Sequence, residues 1–176
     1  PSTMVELGGE VRAMGANAAG NPWRIAVERP GISSPTPQQI VPLSELSLAT
    51  SGDYRNFFER DDRRYSHTID PRTGRPVQHS LASASVLDRT CAWADAWATA
   101  MMVLGPEEGW NLAVERDLAV RAAPAFHPDR CRTVIGQPAL AQFGQLFAWI
   151  AFAQQWSSVA PCRAFGQRGI VAVEPH

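Results

Sequence analysis

Glycine and proline cut Pro1 to Gly52 into short runs, and that punctuation constrains the fold more than any other feature of the chain. Interior proline or glycine ends or weakens a helix, so runs this short favour strands joined by tight turns. Met4 to Leu7 reads as a strand running into a Gly8-Gly9 turn, and Glu10 to Met14 continues extended until Gly15. Trp23 to Glu28 alternates apolar and polar side chains, the period of a half-buried strand. Pro30 to Pro37 is a proline-rich surface loop, and Val41 to Leu43 and Leu46 to Thr50 are further short strands.

From Asp53 onward the pattern changes. Tyr54 to Glu59 is a strand or short turn carrying Phe57 and Phe58, and Arg64 to Asp70 alternates as a strand. Pro71-Arg72-Thr73-Gly74 closes it, with proline early and glycine late as a turn requires. Ala82 to Leu87 is another strand. Asp88-Arg89-Thr90 then offers an N-cap to a helix from Cys91 to Leu104, stopped by Gly105-Pro106. Pro106, followed by Glu107 and Glu108, opens a second helix to Glu115, with its acids where the helix dipole favours them. These elements predict an α+β fold, an antiparallel or mixed sheet flanked by helices. Residues 1–126 form one domain on this reading, and 127–176 a tail of different character, rich in Gln, Arg and Ala. Within the tail, Ala139 to Trp156 is a candidate amphipathic helix weakened by Gly144.

Composition narrows the function. The chain has 176 residues, is 45% hydrophobic and 19% charged, and carries a formal net charge of -1. Such a chain can bury a core, which excludes a disordered tail, a collagenous repeat and a disulfide miniprotein. The charge balance argues against a nucleic-acid partner. All 16 basic residues are Arg, so Schiff-base chemistry and a Walker lysine are excluded within this chain. Cys91, Cys131 and Cys162 are too widely spaced for a CxxC pair and read as small buried thiols. No run reaches the ~18 apolar residues of a membrane helix. The opening Pro1 is read as the start of a processed or truncated chain.

Few motifs carry chemistry. Gly8-Gly9 followed by Gly15 has the wrong spacing for a phosphate-cradling GxGxxG, and His67 and His79 lack an HExxH context for zinc. Asp95 and Thr99 stand at i and i+4 on the predicted helix, so their oxygens share one face. Hard oxygens of this kind suit Mg²⁺, which binds few protein groups and keeps waters or phosphate oxygens. The same pair also occurs in ordinary helices. Its neighbours Ala94, Ala96, Trp97 and Ala98 are apolar, and a carboxylate buried among them must find a partner or cost several kcal/mol. His67 is either a packed or solvent-facing strand imidazole or, beside Asp70 and the following turn, a group that handles phosphate.

Four stretches in register resemble the ApbE family of FAD:protein FMN transferases, long known as thiamine biosynthesis lipoproteins. They are ELGGEVRAMG (Glu6 to Gly15), LATSGDYRNFF (Leu48 to Phe58), YSHTIDPRTGRPV (Tyr65 to Val77) and ADAWATAMMVLGPEEG (Ala94 to Gly109). The resemblance spans Val5 to Ala123 and implies the C-terminal half of such an enzyme. It implies FAD as substrate, Mg²⁺ as cofactor, and transfer of FMN to a Thr (or Ser) hydroxyl of a flavin-acceptor protein with release of AMP. By position Asp95 and Thr99 match the family's magnesium ligands, His67 the proposed catalytic base, and Ile69 a residue touching the flavin nucleotide. A periplasmic or membrane-anchored location is implied, with the cytoplasm left open.

Two departures qualify the resemblance. The family's Ala-Lys-Gly segment has no counterpart in a chain without Lys, and nothing from His127 onward is recognisable. The expectation for these residues alone is therefore a catalytically incomplete flavin-binding or interaction fragment, whose uncovered apolar sheet positions favour association, a homodimer included. A magnesium-dependent FAD pyrophosphatase is the enzymatic alternative.

Overall fold

In the computed structural model, residues 2–30, 37–54, 57–61, 63–124, 132–135, 163–165 and 171–174 are described. The chain opens with β1 (Thr3–Leu7) and β2 (Glu10–Met14), then β3 (Trp23–Glu28), β4 (Pro37–Leu43) and β5 (Ser47–Gly52). Short strands β6 (Phe57–Arg60), β7 (Arg63–Ser66), β8 (Ile69–Asp70) and β9 (Arg75–Pro76) lead to β10 (Leu81–Asp88) and helix α1 (Cys91–Glu115). After α1 come β11 (Ala119–Pro124), β12 (Arg132–Ile135), β13 (Arg163–Phe165) and β14 (Val171–Glu174).

An eight-stranded sheet runs β1-β2-β5-β10-β11-β12-β14-β13, every pairing antiparallel, with β3–β4, β6–β7 and β8–β9 as separate hairpins. The α+β expectation holds, with one kinked helix against the sheet. Three described strands of the tail, β12 to β14, extend that sheet. Ala139 to Trp156, Cys131 and Cys162 lie outside the described residues. Among the described residues no helix is long and apolar enough to cross a membrane.

Local rules explain most boundaries. Gly8 and Gly9 both have positive φ (69° and 111°), the conformation a two-residue hairpin needs for its twist. The Thr90 hydroxyl accepts from the Trp93 N–H at 3.3 Å and caps α1, while the Asp88 carboxylate receives the Thr90 N–H at 3.0 Å. α1 consists of the two helical segments read from the sequence, which meet at Gly105, whose φ of 78° and ψ of -172° are not helical. α1 ends with Asp117 at a φ of 56°, followed by a Leu118 N–H to Ala113 carbonyl bond of 2.9 Å that ties off the last turn.

Two cores sandwich the central strands. Alternation along β5 sends Leu48 toward the β3–β4 hairpin with Val11, Val27, Val41 and Leu43, and Ala49 toward α1 with Ala84, Val86, Ala98 and Met102. β10 is buried from Leu81 to Leu87, so its small residues Ala82 to Ser85 fit between hairpin and helix. The Ser85 and Thr50 hydroxyls pair at 2.8 Å, which satisfies polar groups that would otherwise be stranded in the interior. A side chain such as Met102, with no exposed surface, contributes about 1.5–3 kcal/mol by burial.

Two local expectations need correction. Arg64 to Asp70 is not one strand, because β7 stops at Ser66 and β8 begins at Ile69. The Ser66 hydroxyl accepts the Thr68 N–H at 3.1 Å, a local turn that interrupts the ladder at His67. Cys91 is half-buried rather than buried, because the first turn of α1 stands at the helix end of the core.

Candidate functional site

The end of β5 brings two groups of polar residues toward one another. Ser51 shares the helix-facing side of β5 with Ala49, and its hydroxyl lies 3.0 Å from the Thr99 hydroxyl on α1. Asp95, one turn earlier on the helix, is exposed. The sequence argument that its apolar neighbours would bury Asp95 therefore fails. α1 carries Ala on both its buried side (Ala94, Ala98) and its exposed side (Ala92, Ala96), so alanine content does not mark the core face. A solvated carboxylate needs no compensating partner and can accept a ligand.

A metal is implied for this pair, and the donors present fit a hard cation. Asp95 supplies a carboxylate, and Thr99 with Ser51 supplies two neighbouring hydroxyls, an oxygen-only set that matches Mg²⁺ and not zinc. Among the described residues no group of three or more His, Cys, Asp or Glu gathers as a metal cage.

Two residues beyond Ser51, Asp53 is half-buried and anchored by its N–H to the Ala82 carbonyl at 3.0 Å. Burial raises its carboxyl above the usual carboxylate range, partly offset by the nearby Arg64 charge. Arg64 donates to the Asp53 carbonyl at 2.6 Å and stacks its guanidinium 3.7 Å from the Phe57 ring centroid. Asp53 and Arg64 thus form one electrostatic pair. His67 is exposed on the turn between β7 and β8, and Ile69 is 48% exposed on β8.

The turn that follows His67 is pinned to α1. Arg72 grips Asp70 through Nε and Nη2 at 3.0 Å each, and its Nη1 reaches Glu108 at 2.7 Å. The hydrogen bonds from Arg72 hold the Asp70 carboxyl below its ordinary range. Gly74 closes the turn with its N–H on the Asp70 carbonyl at 2.8 Å and a φ of 66°. On the opposite face of β5 lies a cleft of about 300 Å³ lined by Gly8, Gly9, Val27, Thr50, Gly52 and Tyr54. None of His67, Ile69, Asp95 or Thr99 lines it.

The chain matches the ApbE family across residues 1–122. It belongs to that family. An FAD:protein FMN transferase of Vibrio cholerae is 49% identical over 117 residues, which cover 66% of this chain and 35% of that protein. The Escherichia coli K12 protein of the same name is 43% identical over 117 residues, 66% of this chain and 33% of its own. The apo crystal structure of the Pseudomonas stutzeri flavinyl transferase ApbE aligns with a TM-score of 0.59 at 43% identity, covering 78% of this chain and 39% of that one. The chain spans about a third of the length of the curated relatives it matches.

Within this ApbE chain, the four residues singled out from the sequence fall into two places. Thr99 meets Ser51, and His67 stands near Asp53. Ser51 and Asp53 carried no individual role in the sequence reading, although the stretch Leu48 to Phe58 belonged to the resemblance, and Asp70, Arg72 and Glu108 figured there without the link that joins them. The missing signal is which face of β5 meets the helix, and strand alternation alone cannot tell one face from the other.

Proposed function

We propose that this chain carries the metal-binding and proton-accepting part of a flavin transferase, which moves FMN from FAD to a Thr or Ser hydroxyl of an acceptor protein and releases AMP. The observation that carries this reading is the end of β5, where Ser51 joins Thr99 one turn from the exposed Asp95, within a chain belonging to the ApbE family. Asp95 and Thr99, with Ser51 beside them, would hold Mg²⁺. Bound there, the cation would neutralise charge on the pyrophosphate oxygens.

In this reaction the acceptor hydroxyl oxygen attacks the phosphorus of the FMN half. The bond from that phosphorus to the bridging oxygen breaks, and AMP leaves with that oxygen. His67 takes the hydroxyl proton, a task suited to an imidazole near neutral pH. The exposed Ile69 offers apolar surface to the flavin nucleotide.

The test is incubation of the full-length protein with FAD, Mg²⁺ and a threonine-containing acceptor. A fluorescent acceptor band on a denaturing gel, with one AMP released per flavin attached, is the expected result. Free FMN and AMP without a labelled acceptor would replace the transferase reading by a pyrophosphatase. FAD bound but unchanged would replace it by a flavin-binding module.

A further inference from the structure

Gly105 divides α1 into two helical segments, and the last turn of the first leaves carbonyls without partners inside the helix. In a continuous helix the Met102 carbonyl would accept the N–H of residue 106, but Pro106 has none. Met102 is fully buried, so water is not at hand to take over. The atom that fills the vacancy is Nε2 of His79, 2.6 Å from the Met102 carbonyl oxygen. A carbonyl only accepts, so Nε2 carries the hydrogen. The Leu81 N–H points at Nδ1 of the same ring at 3.3 Å, which requires a bare nitrogen there. Both ring nitrogens are thereby assigned, to the neutral Nε2–H form. The ring also fills the inside of the bend, since a Cβ on Gly105 would lie 2.7 Å from its Cδ2.

The bend has a consequence for the site. The segment of α1 after Gly105 carries Glu108, which holds Arg72, which holds Asp70 in the turn after His67. His79 itself leads into β10, the strand paired with β5 and therefore with Ser51. From this we infer that His79 is a positioning residue: by closing the break in α1 it sets the direction of the helix beyond Gly105 and so the placement of the His67 loop. In its catalytic consequence the inference rests on the flavin-transfer reading above, but its structural core does not.

The experiment compares His79→Ala and His79→Gln with the unaltered full-length protein. Gln can present an amide N–H to the Met102 carbonyl, whereas Ala cannot. Amide hydrogen exchange is followed at Thr73 and Gly74, whose N–H groups bond to the Asp70 carbonyl. His79→Ala should speed their exchange about tenfold, and His79→Gln should restore most of the protection. In turnover, His79→Ala should lower kcat about 10–100-fold, the scale of a small misplacement at a reacting centre, with KM for FAD within about twofold. Unchanged exchange at Thr73 and Gly74 in His79→Ala, or a Gln variant no better than Ala, overturns the inference. Exchange is read without FAD, so a protein that transfers no flavin sinks the functional reading while leaving this test intact. Nitrogen NMR of the unaltered protein adds a check independent of mutant folding. A protonated Nε2 with a bare Nδ1 supports the assignment, and the opposite tautomer overturns it.

Discussion

Replacing Gly105 with alanine strains the bend in α1 in two separable ways. The backbone there, at φ 78° and ψ -172°, lies in a region essentially restricted to glycine, and forcing a Cβ into it costs about 1–3 kcal/mol. The new methyl would also stand 2.7 Å from Cδ2 and 3.1 Å from Cγ of His79, well inside van der Waals contact. The ring must then move, which breaks the 2.6 Å hydrogen bond to the buried Met102 carbonyl at a further cost of about 1–3 kcal/mol. The sum is about 2–6 kcal/mol, a fall in Tm of roughly 5–20 °C at 2–4 °C per kcal/mol for a chain of this size. Calorimetric melting and urea titration of Gly105→Ala measure it directly. In a His79→Ala background only the backbone strain should remain, so the two substitutions should couple by about 1–3 kcal/mol. A Gly105→Ala loss below about 0.5 kcal/mol, or strict additivity with His79→Ala, would refute the reasoning.

Three further outcomes follow from the site. Asp95→Ala should abolish magnesium-dependent flavin transfer in the full-length protein, and Thr99→Ala should weaken it; a metal titration unchanged by Asp95→Ala rejects the ligand assignment. His67→Ala should lower kcat by about 10²–10⁴ with FAD affinity nearly unchanged, whereas an equal loss of FAD affinity measured by fluorescence titration would make His67 a binding residue. Asp70 is held below its ordinary value of 3.8, mainly by the Arg72 side-chain hydrogen bond. Its stabilising contribution is present above that ordinary value and is lost as pH falls through the depressed one. The stability advantage over Asp70→Asn should therefore be larger at about pH 6 than at about pH 2, and equal urea midpoint differences at both would count against it.

Much of the fold is legible residue by residue. The Gly8-Gly9 hairpin, the Thr90 cap and the Gly105-Pro106 interruption are local signals, each set by what one or two residues permit their own backbone to do. The break at His67 was not legible, because alternation from Arg64 to Asp70 looks the same whether or not the Ser66 hydroxyl captures the Thr68 N–H. The exposure of Asp95 was equally hidden, since alanine occupies both sides of α1 and erases the contrast that would reveal its inner face. For the site, the spacing of Asp95 and Thr99 was visible along the helix, but Ser51 is 48 residues away from Thr99 in the chain and joins it only through packing.

The sequence by itself therefore determined strands β1, β2, β3, β5 and β10, the caps, the interrupted helix and the family, because those depend on short-range backbone chemistry and on motifs in order. Only the tertiary structure decided which face of β5 meets α1, that the Ser51 and Thr99 hydroxyls meet, and that His79 reaches a carbonyl 23 residues ahead of it. It also decided that Arg72 ties the His67 loop to Glu108 across 36 residues. These are contacts between elements, and they exist because burying two apolar faces against one sheet brings distant polar groups within hydrogen-bonding distance, something no local pattern encodes.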